Sequence, residues 1–353
     1  MAGSNNLPSI VFLFSELSYY FLSGLKQIDP KRVHITVVHW DVNPEAPFKF
    51  RFPEHVDFIQ RSNCDDDQLS TFLEKLNPEI VFCAGWLDKG YIRVLKKFKN
   101  TKRILTMDNQ WTGSPRQRLA ALASRFTFIS MFDGIWVPGA KQKKFALQLG
   151  FSEEQIHLNF YSANLDYFNA IYSEAKSQKT KSYPHTILFL GRYAKEKGID
   201  LLISAFEKYK AATSNDWKLV CAGTGALRDQ YRNTPDIEHL GFIQPYDLGE
   251  LMSEAGAFVL PSTFEPWGLV IHECVAAGLP VISTEIVGSA EVFVRAENGW
   301  VIKAGSEEEL IKSFESLASK SDEELFQMST ESHRIAQAIT PKMWAEKLLS
   351  FFN

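Results

Sequence analysis

Cysteine is scarce. Cys64, Cys83, Cys221 and Cys274 are the four among 353 residues, scattered with no C-x-x-C pair and no metal-ligand spacing. That excludes a disulfide framework and a structural zinc, and it reads as reduced thiols in a cytosol. Long apolar runs are also missing. The best candidate, residues 10–25, contains Glu16, has no basic residue before it, and falls short of the ~20 residues a bilayer span requires. It reads as a strand followed by a helix. Charge of one sign is weak as well: the net is −4, with 20 Lys and Arg against 16 Asp and Glu in residues 1–160, and the surplus acid in the remainder. A basic excess this small is what an ordinary solvated surface carries; an anionic acceptor or a membrane surface is the competing reading, and nucleic acid is not an expected partner. Internal repeats and low-complexity tracts are absent.

What is present is a chain too long for one domain, with 45% hydrophobic and 23% charged residues, as in soluble globular proteins. Its centre of organisation is residues 259–284, V-L-P-S-T-F-E-P-W-G-L-V-I-H-E-C-V-A-A-G-L-P-V-I-S-T. The apolar run stops at Pro261-Ser262-Thr263, restarts at Trp267 and ends at Gly278 before another short apolar run, which is strand, loop, helix, strand. A helix that starts beside a strand end points free amides at the crevice, so the N–H groups of Gly268, Leu269 and Val270 are candidate phosphate donors. Glu265 and Glu273 bracket this turn. Beside a phosphate a carboxylate must serve another part of the ligand, and hydroxyl groups fit, so phosphate plus hydroxyls points to a nucleotide sugar. The bland alternative makes Glu265 a solvated loop residue and Glu273 a helix surface charge.

The segment Glu265-Pro266-Trp267-Gly268-Leu269-Val270-Ile271-His272-Glu273, with Ala276 to Val281 behind it, resembles the retaining glycosyltransferases of family 4, whose signature is E-P-F-G-L-x-x-x-E followed by A-x-G-x-P-V. Trp267 in place of Phe, and His272 and Cys274 in the helix, are the departures. The resemblance covers residues 185–340 well and the N-terminal half by architecture alone. It implies an α/β fold of the GT-B type: two Rossmann-like domains with parallel sheets facing across a cleft, and a C-terminal helix crossing back to the first domain. The donor would be held by the second domain.

In the N-terminal half, short apolar runs at 8–14, 34–40, 56–59, 79–84, 103–107, 134–137 and 156–160 read as strands. Helical patterns at 16–26, 67–76, 91–98, 115–132 and 141–149 lie between several of them, and such alternation predicts a parallel sheet covered by helices. Asp65-Asp66-Asp67 looks like a D-x-D metal motif, but its place before a helix predicts a cap, and no metal is expected. The basic run Arg93, Lys96, Lys97, Lys99, Lys102, Arg103 reads as a solvated face, with anionic lipid as the weaker alternative. At the end of the 103–107 strand, Asp108, Asn109 and Trp111 occupy a polar, aromatic loop of the kind that collects binding residues. Relatives place a His-Asp pair about here. The histidine is missing, so Asp108 is a catalytic candidate by position, with a turn residue as the equal alternative, and Asn109 and Trp111 are acceptor-side candidates. The family's glycine-rich loop after the first strand is absent too.

The first domain is expected to span 1–168, followed by a polar, Lys- and Ser-rich linker at 169–184, a donor domain at 185–340 and a closing helix at 341–353. In the donor domain the strand at 185–190 ends in Gly191-Arg192, with Lys197-Gly198 five residues on. Two cations in one crevice would neutralise a diphosphate, and the matching residues of relatives imply that role for Arg192 and Lys197. Gly223 and Gly225, after a strand at 217–222, would let backbone approach a ligand closely. Phe242, after 237–240, matches a segment whose main chain meets the nucleotide base in relatives. Glu291 and Asn298-Gly299 match further family segments. Helices at 306–319, 322–338 and 341–352 complete the chain, and the last offers Trp344, Leu348, Leu349, Phe351 and Phe352 as a packing face.

The function expected is a retaining, metal-independent glycosyltransferase, with no cofactor and a nucleotide-sugar donor, UDP- or GDP-linked. The acceptor would be a hydroxyl on a carbohydrate or glycolipid, in surface polysaccharide or glycoconjugate synthesis. The setting would be the cytoplasm, with peripheral contact at the inner membrane face through the N-terminal domain as an option. Two readings compete: an epimerase or phosphorylase on the same fold, and a non-catalytic subunit that binds nucleotide sugar or a partner transferase.

Overall fold

The computed structural model describes residues 7–42 and 47–352. The chain divides into two compact units, one of residues 1–162 with 341–353 and the other of residues 163–340.

In unit 1 seven parallel strands, β1 (Ser9–Leu13), β2 (His34–His39), β3 (Val56–Gln60), β4 (Ile80–Ala84), β5 (Lys102–Thr106), β6 (Gly134–Trp136) and β7 (Ile156–His157), form a sheet of order β3-β2-β1-β4-β5-β6-β7. The helices α1 (Tyr19–Lys26), α2 (Asp66–Leu76), α3 (Lys89–Leu95), α4 (Pro115–Thr127) and α5 (Ala140–Leu149) connect them. Each central strand is buried throughout, which is why β1 and β4 read as unbroken apolar runs rather than alternating ones. All seven expected strands are present. The 115–132 helix is shorter than its pattern, ending at Thr127 in favour of a 3-10 turn at Ile129–Met131. Asp65 caps α2 through a capping box with Gln68, while Asp66 pairs with Arg61 and Arg93. The acidic triplet is therefore a helix start.

In unit 2 the helix α6 (Leu165–Lys179) leads into six parallel strands, β8 (Thr186–Leu190), β9 (Lys218–Ala222), β10 (Ile237–Leu240), β11 (Ala257–Leu260), β12 (Val281–Thr284) and β13 (Gly299–Ile302), in the order β10-β9-β8-β11-β12-β13. Its further helices are α7 (Ile199–Ala212), α8 (Leu248–Ser253), α9 (Leu269–Ala276), α10 (Ala290–Phe293), α11 (Glu307–Ala318) and α12 (Asp322–Ala336). The linker expected at 169–184 is corrected: most of it is the body of α6. Phe168, Ile171, Tyr172, Ala175 and Lys179 recur at helical spacing and are buried, and Ser and Lys face outward. The periodicity was masked because a lysine takes a core position, donating to the carbonyl of Ala255 at 2.7 Å.

The last helix, α13 (Pro341–Ser350), belongs to unit 1. Trp344 lies against the rings of Trp136 and Phe21 and donates its indole N–H to the carbonyl of Phe160 at 2.8 Å. Gly24 makes room for it, since a β-carbon there would sit 2.5 Å from the indole. Leu348 and Phe351 are buried in the same cluster.

Candidate donor site in unit 2

Strand order reverses in unit 2 between β8 and β11, which are hydrogen-bonded neighbours although distant in sequence, each with its consecutive strand, β9 or β12, on the other side. Open α/β sheets bind ligands at the carboxyl ends of strands at such a point. Arg192 and Lys197 leave β8 there, and residues 261–268 leave β11 beside them. The two exits are tied together: the amides of Thr263 and Phe264 donate to the carbonyl of Glu196 at 2.9 and 3.2 Å. Gly198 permits this approach, with φ +71° and its missing β-carbon 2.3 Å from the Pro261 carbonyl oxygen.

At this junction the Lys197 ammonium is ion-paired with the Glu265 carboxylate, both side chains mostly buried. The pair saturates neither group, because an ammonium has three donors and a carboxylate about four acceptor positions. Arg192 is more exposed and reaches Glu196 at 3.4 Å.

The turn into α9 is built for an open helix end. Gly268 adopts φ +79°, and Ser289, fully buried, donates its hydroxyl to the Gly268 carbonyl at 2.7 Å while its amide bonds the Trp267 carbonyl. Leu269 and Val270 have no carbonyl four residues back within the helix, so their amides stay available. Trp267 is buried with no acceptor for its indole N–H among the described residues.

Glu273 lies one turn into α9. Its carboxylate makes no hydrogen bond or ion pair among the described residues, and burial pushes its pKa up to about 7. The neighbouring His272, which departs from the family pattern, is structural: Nδ1 accepts the amide of Ala163 at 3.1 Å and Nε2 donates to the carbonyl of Ala336 at 2.9 Å. Complete burial lowers its pKa to about 4, so it is neutral with a fixed tautomer.

Gly223 and Gly225 stand where two strand exits pack on each other. β-Carbons at these positions would stand 1.9 Å from the Gly191 oxygen and 2.7 Å from that of Tyr193, so the glycines let the β9 exit pack on the β8 exit. Phe242 is half-buried after β10, and Glu291 is exposed in the first turn of α10, where its charge suits the helix start.

Of the candidates in unit 1, Asp108 accepts from the Tyr161 hydroxyl at 3.2 Å, and burial beside that carboxylate raises the phenol's pKa well above its usual value. Asn109 is exposed. Trp111 packs on Phe145 at a centroid distance of 5.5 Å against the unit 1 core, which gives it a structural role. Sequence reasoning missed Ser289 as the residue that holds the Gly268 turn, because the two are 21 positions apart and nothing local pairs them. It also missed Tyr161, which carried no signal. All four cysteines are buried and free, and among the described residues no three His, Cys, Asp or Glu side chains gather as a metal set.

Residues 172–334 match the family model described as glycosyl transferases group 1. A 123-residue stretch is 37% identical to an uncharacterized glycosyltransferase of Methanocaldococcus jannaschii, covering 33% of this chain and 31% of that protein. Another of 130 residues is 30% identical to the glycogen synthase of Mycobacterium tuberculosis, covering 35% and 31%. The chain thus spans less than a third of the length of these curated relatives. Among solved structures, the sucrose-phosphate synthase of Thermosynechococcus elongatus superposes with a TM-score of 0.76 at 16% identity over 98% of both chains. Anabaena HepE in complex with UDP gives 0.69 at 14% identity over 98% of this chain and 99% of that one. By its two parallel-sheet units and these likenesses, the chain has the GT-B fold of glycosyltransferases, with the group 1 match lying in residues 172–334.

Proposed function

We propose that this protein is a retaining, metal-independent glycosyltransferase that moves a sugar from a nucleotide-sugar donor, UDP- or GDP-linked, to a hydroxyl of a carbohydrate or glycolipid acceptor. The observation that carries the reading is the junction of β8 and β11. A phosphate-directed cation, Lys197, and a hydroxyl-directed carboxylate, Glu265, meet beside a helix end with available amides, and an unpartnered carboxylate, Glu273, stands one turn further on. A diphosphate bridges the nucleoside and the sugar, so its binding site must place cationic groups between two sets of hydroxyl acceptors.

In this mechanism Lys197, Arg192 and the amides of Gly268, Leu269 and Val270 stabilise the negative charge that builds on the departing nucleoside diphosphate, an electrostatic contribution that usually dominates such steps. The bond from the sugar's anomeric carbon to the diphosphate oxygen breaks, a bond to the acceptor oxygen forms on the same face, and the acceptor hydroxyl's proton passes to the departing diphosphate oxygen. Glu265 accepts from sugar hydroxyls and Glu273 from the ribose. The main chain near Phe242 faces the base, and Asp108 with Asn109 serves the acceptor side. The group 1 match, the likeness to HepE in its complex with UDP, and the resemblance at residues 265–273 support this assignment. The buried thiols fit a reducing cytoplasm, where precursors of surface polysaccharide or glycoconjugate are the proposed products.

The test is a thermal-shift screen against UDP, GDP, ADP and their sugars without added metal, since a ligand of the folded state raises Tm by mass action. Stabilisation by one nucleotide that disappears in Arg192→Ala is the expected result. No shift from any of them overturns the assignment.

A further inference from the structure

Helix α4 turns its large apolar side chains the wrong way for a core element. Its buried residues are Ala121 and Ser124, whereas Leu119, Leu122 and Phe126 are 70%, 54% and 82% exposed. At i, i+3 and i+7 these three form one stripe along the solvent side. Leu87, 74% exposed, lies in the neighbouring loop, whose Trp86 packs on Phe128 just beyond α4.

The charge around this stripe is mostly positive. Residues 109–152 contain Arg116, Arg118, Arg125, Lys141, Lys143 and Lys144 against one carboxylate, Asp133, which faces Arg103, while Glu153 just beyond is taken up by Lys143. Arg118 and Arg125, two turns apart on one flank of the stripe, line a surface notch with Trp111, Ala121, Leu122 and Gln148. Arg125 is steadied there by donating to the Gln148 carbonyl at 2.8 Å. In the basic run at 93–103, Arg93 is paired with Asp66, Lys102 donates to the Phe351 carbonyl and Arg103 faces Asp133.

We propose that α4 is an interfacial anchor that docks unit 1 onto an anionic lipid surface, with Leu119, Leu122 and Phe126 entering the acyl boundary and Arg118 and Arg125 meeting lipid phosphates. Charge complementarity selects this occupant. A lipid-facing helix combines an apolar stripe with flanking cations, and α4, with Arg116, Arg118 and Arg125 and no acidic residue, attracts anionic headgroups. The inference is independent of the glycosyl-transfer reading.

The experiment is flotation of the full chain with vesicles of phosphatidylcholine alone or mixed with phosphatidylglycerol, at low and high salt. Binding to the mixed vesicles only, weakened by salt, is expected. R118Q/R125Q should weaken it about 30-fold, from two cations at about 1 kcal/mol each. Phe126→Ser should weaken it about tenfold or more at any salt concentration. All three side chains are exposed, so circular dichroism should show the fold unchanged. Equal binding to neutral vesicles, or binding indifferent to both variants, overturns the proposal. So does self-association in vesicle-free sedimentation that Phe126→Ser abolishes, which would assign the stripe to a second copy.

Discussion

Replacing Glu273 with glutamine should make the free protein more stable and its donor binding weaker. The carboxylate is desolvated with no partner among the described residues, and its pKa rises from 4.5 to about 7. Between these values the folded state holds the proton and the unfolded state does not, so stability falls as pH rises through the window. The full penalty is present at pH 8, where a shift of this size corresponds to about 3 kcal/mol. Near pH 5.5 less than half of it remains. Glutamine keeps the shape and drops the charge. Melting curves of wild type and Glu273→Gln should therefore separate by roughly 6 to 12 °C at pH 8 and converge as the solution is acidified. Donor affinity should move oppositely. Removing hydrogen bonds to a charged acceptor costs about 1.5–3 kcal/mol, about ten- to hundredfold in Kd by calorimetry. Wild-type affinity for an intact nucleotide sugar, whose diphosphate diester does not titrate here, should rise about tenfold from pH 6 to pH 8, and the variant should be flat. A variant no more stable at pH 8, or one that binds donor as wild type does, refutes the argument that an unpaired carboxylate is kept for the ligand.

The adjacent His272 has the opposite pH dependence. Its pKa is lowered to about 4, so the unfolded state takes up the proton first; stability is complete above pH 6.5 and declines by up to about 3 kcal/mol as pH falls to 4. In the wild type this offsets much of the Glu273 trend between pH 4.5 and 6.5. Acid melting curves of Glu273→Gln should consequently fall more steeply than those of wild type, and an unchanged slope would contradict both assignments. His272→Leu should lower Tm at pH 7.5 by stranding the Ala163 amide and Ala336 carbonyl, at about 1–3 kcal/mol. Gly198→Ala puts a β-carbon against the Pro261 carbonyl in a left-handed conformation. It should cost at least about 1–2 kcal/mol and also reduce nucleotide affinity by displacing Lys197, whereas a Tm and Kd equal to wild type would show that the two loops need not approach.

The sequence by itself determined the elements and their order. β1, β4, β8 and β11 are short apolar runs with turn residues at their ends, and α9 is announced by the break at Pro261 and the glycine at 268. Such signals are local, set by backbone sterics and by side chains a few residues apart. The donor motif was legible for the same reason, being a strand exit and helix start within one stretch. What faces what was not local. Lys197 and Glu265, 68 positions apart, meet because β8 and β11 pair at the reversal of strand order. Gly223 and Gly225 lie against the β8 exit, a contact that nothing beside them in the sequence announces. The stretch at 169–184 looked like a linker until a buried lysine found a carbonyl at a helix end. Glu273 and the stripe on α4 are the converse cases among the described residues: a carboxylate that no distant side chain there comes to pair, and leucines and a phenylalanine that no distant segment there covers. Burial and pairing depend on which remote surfaces arrive, and only the tertiary structure supplies that.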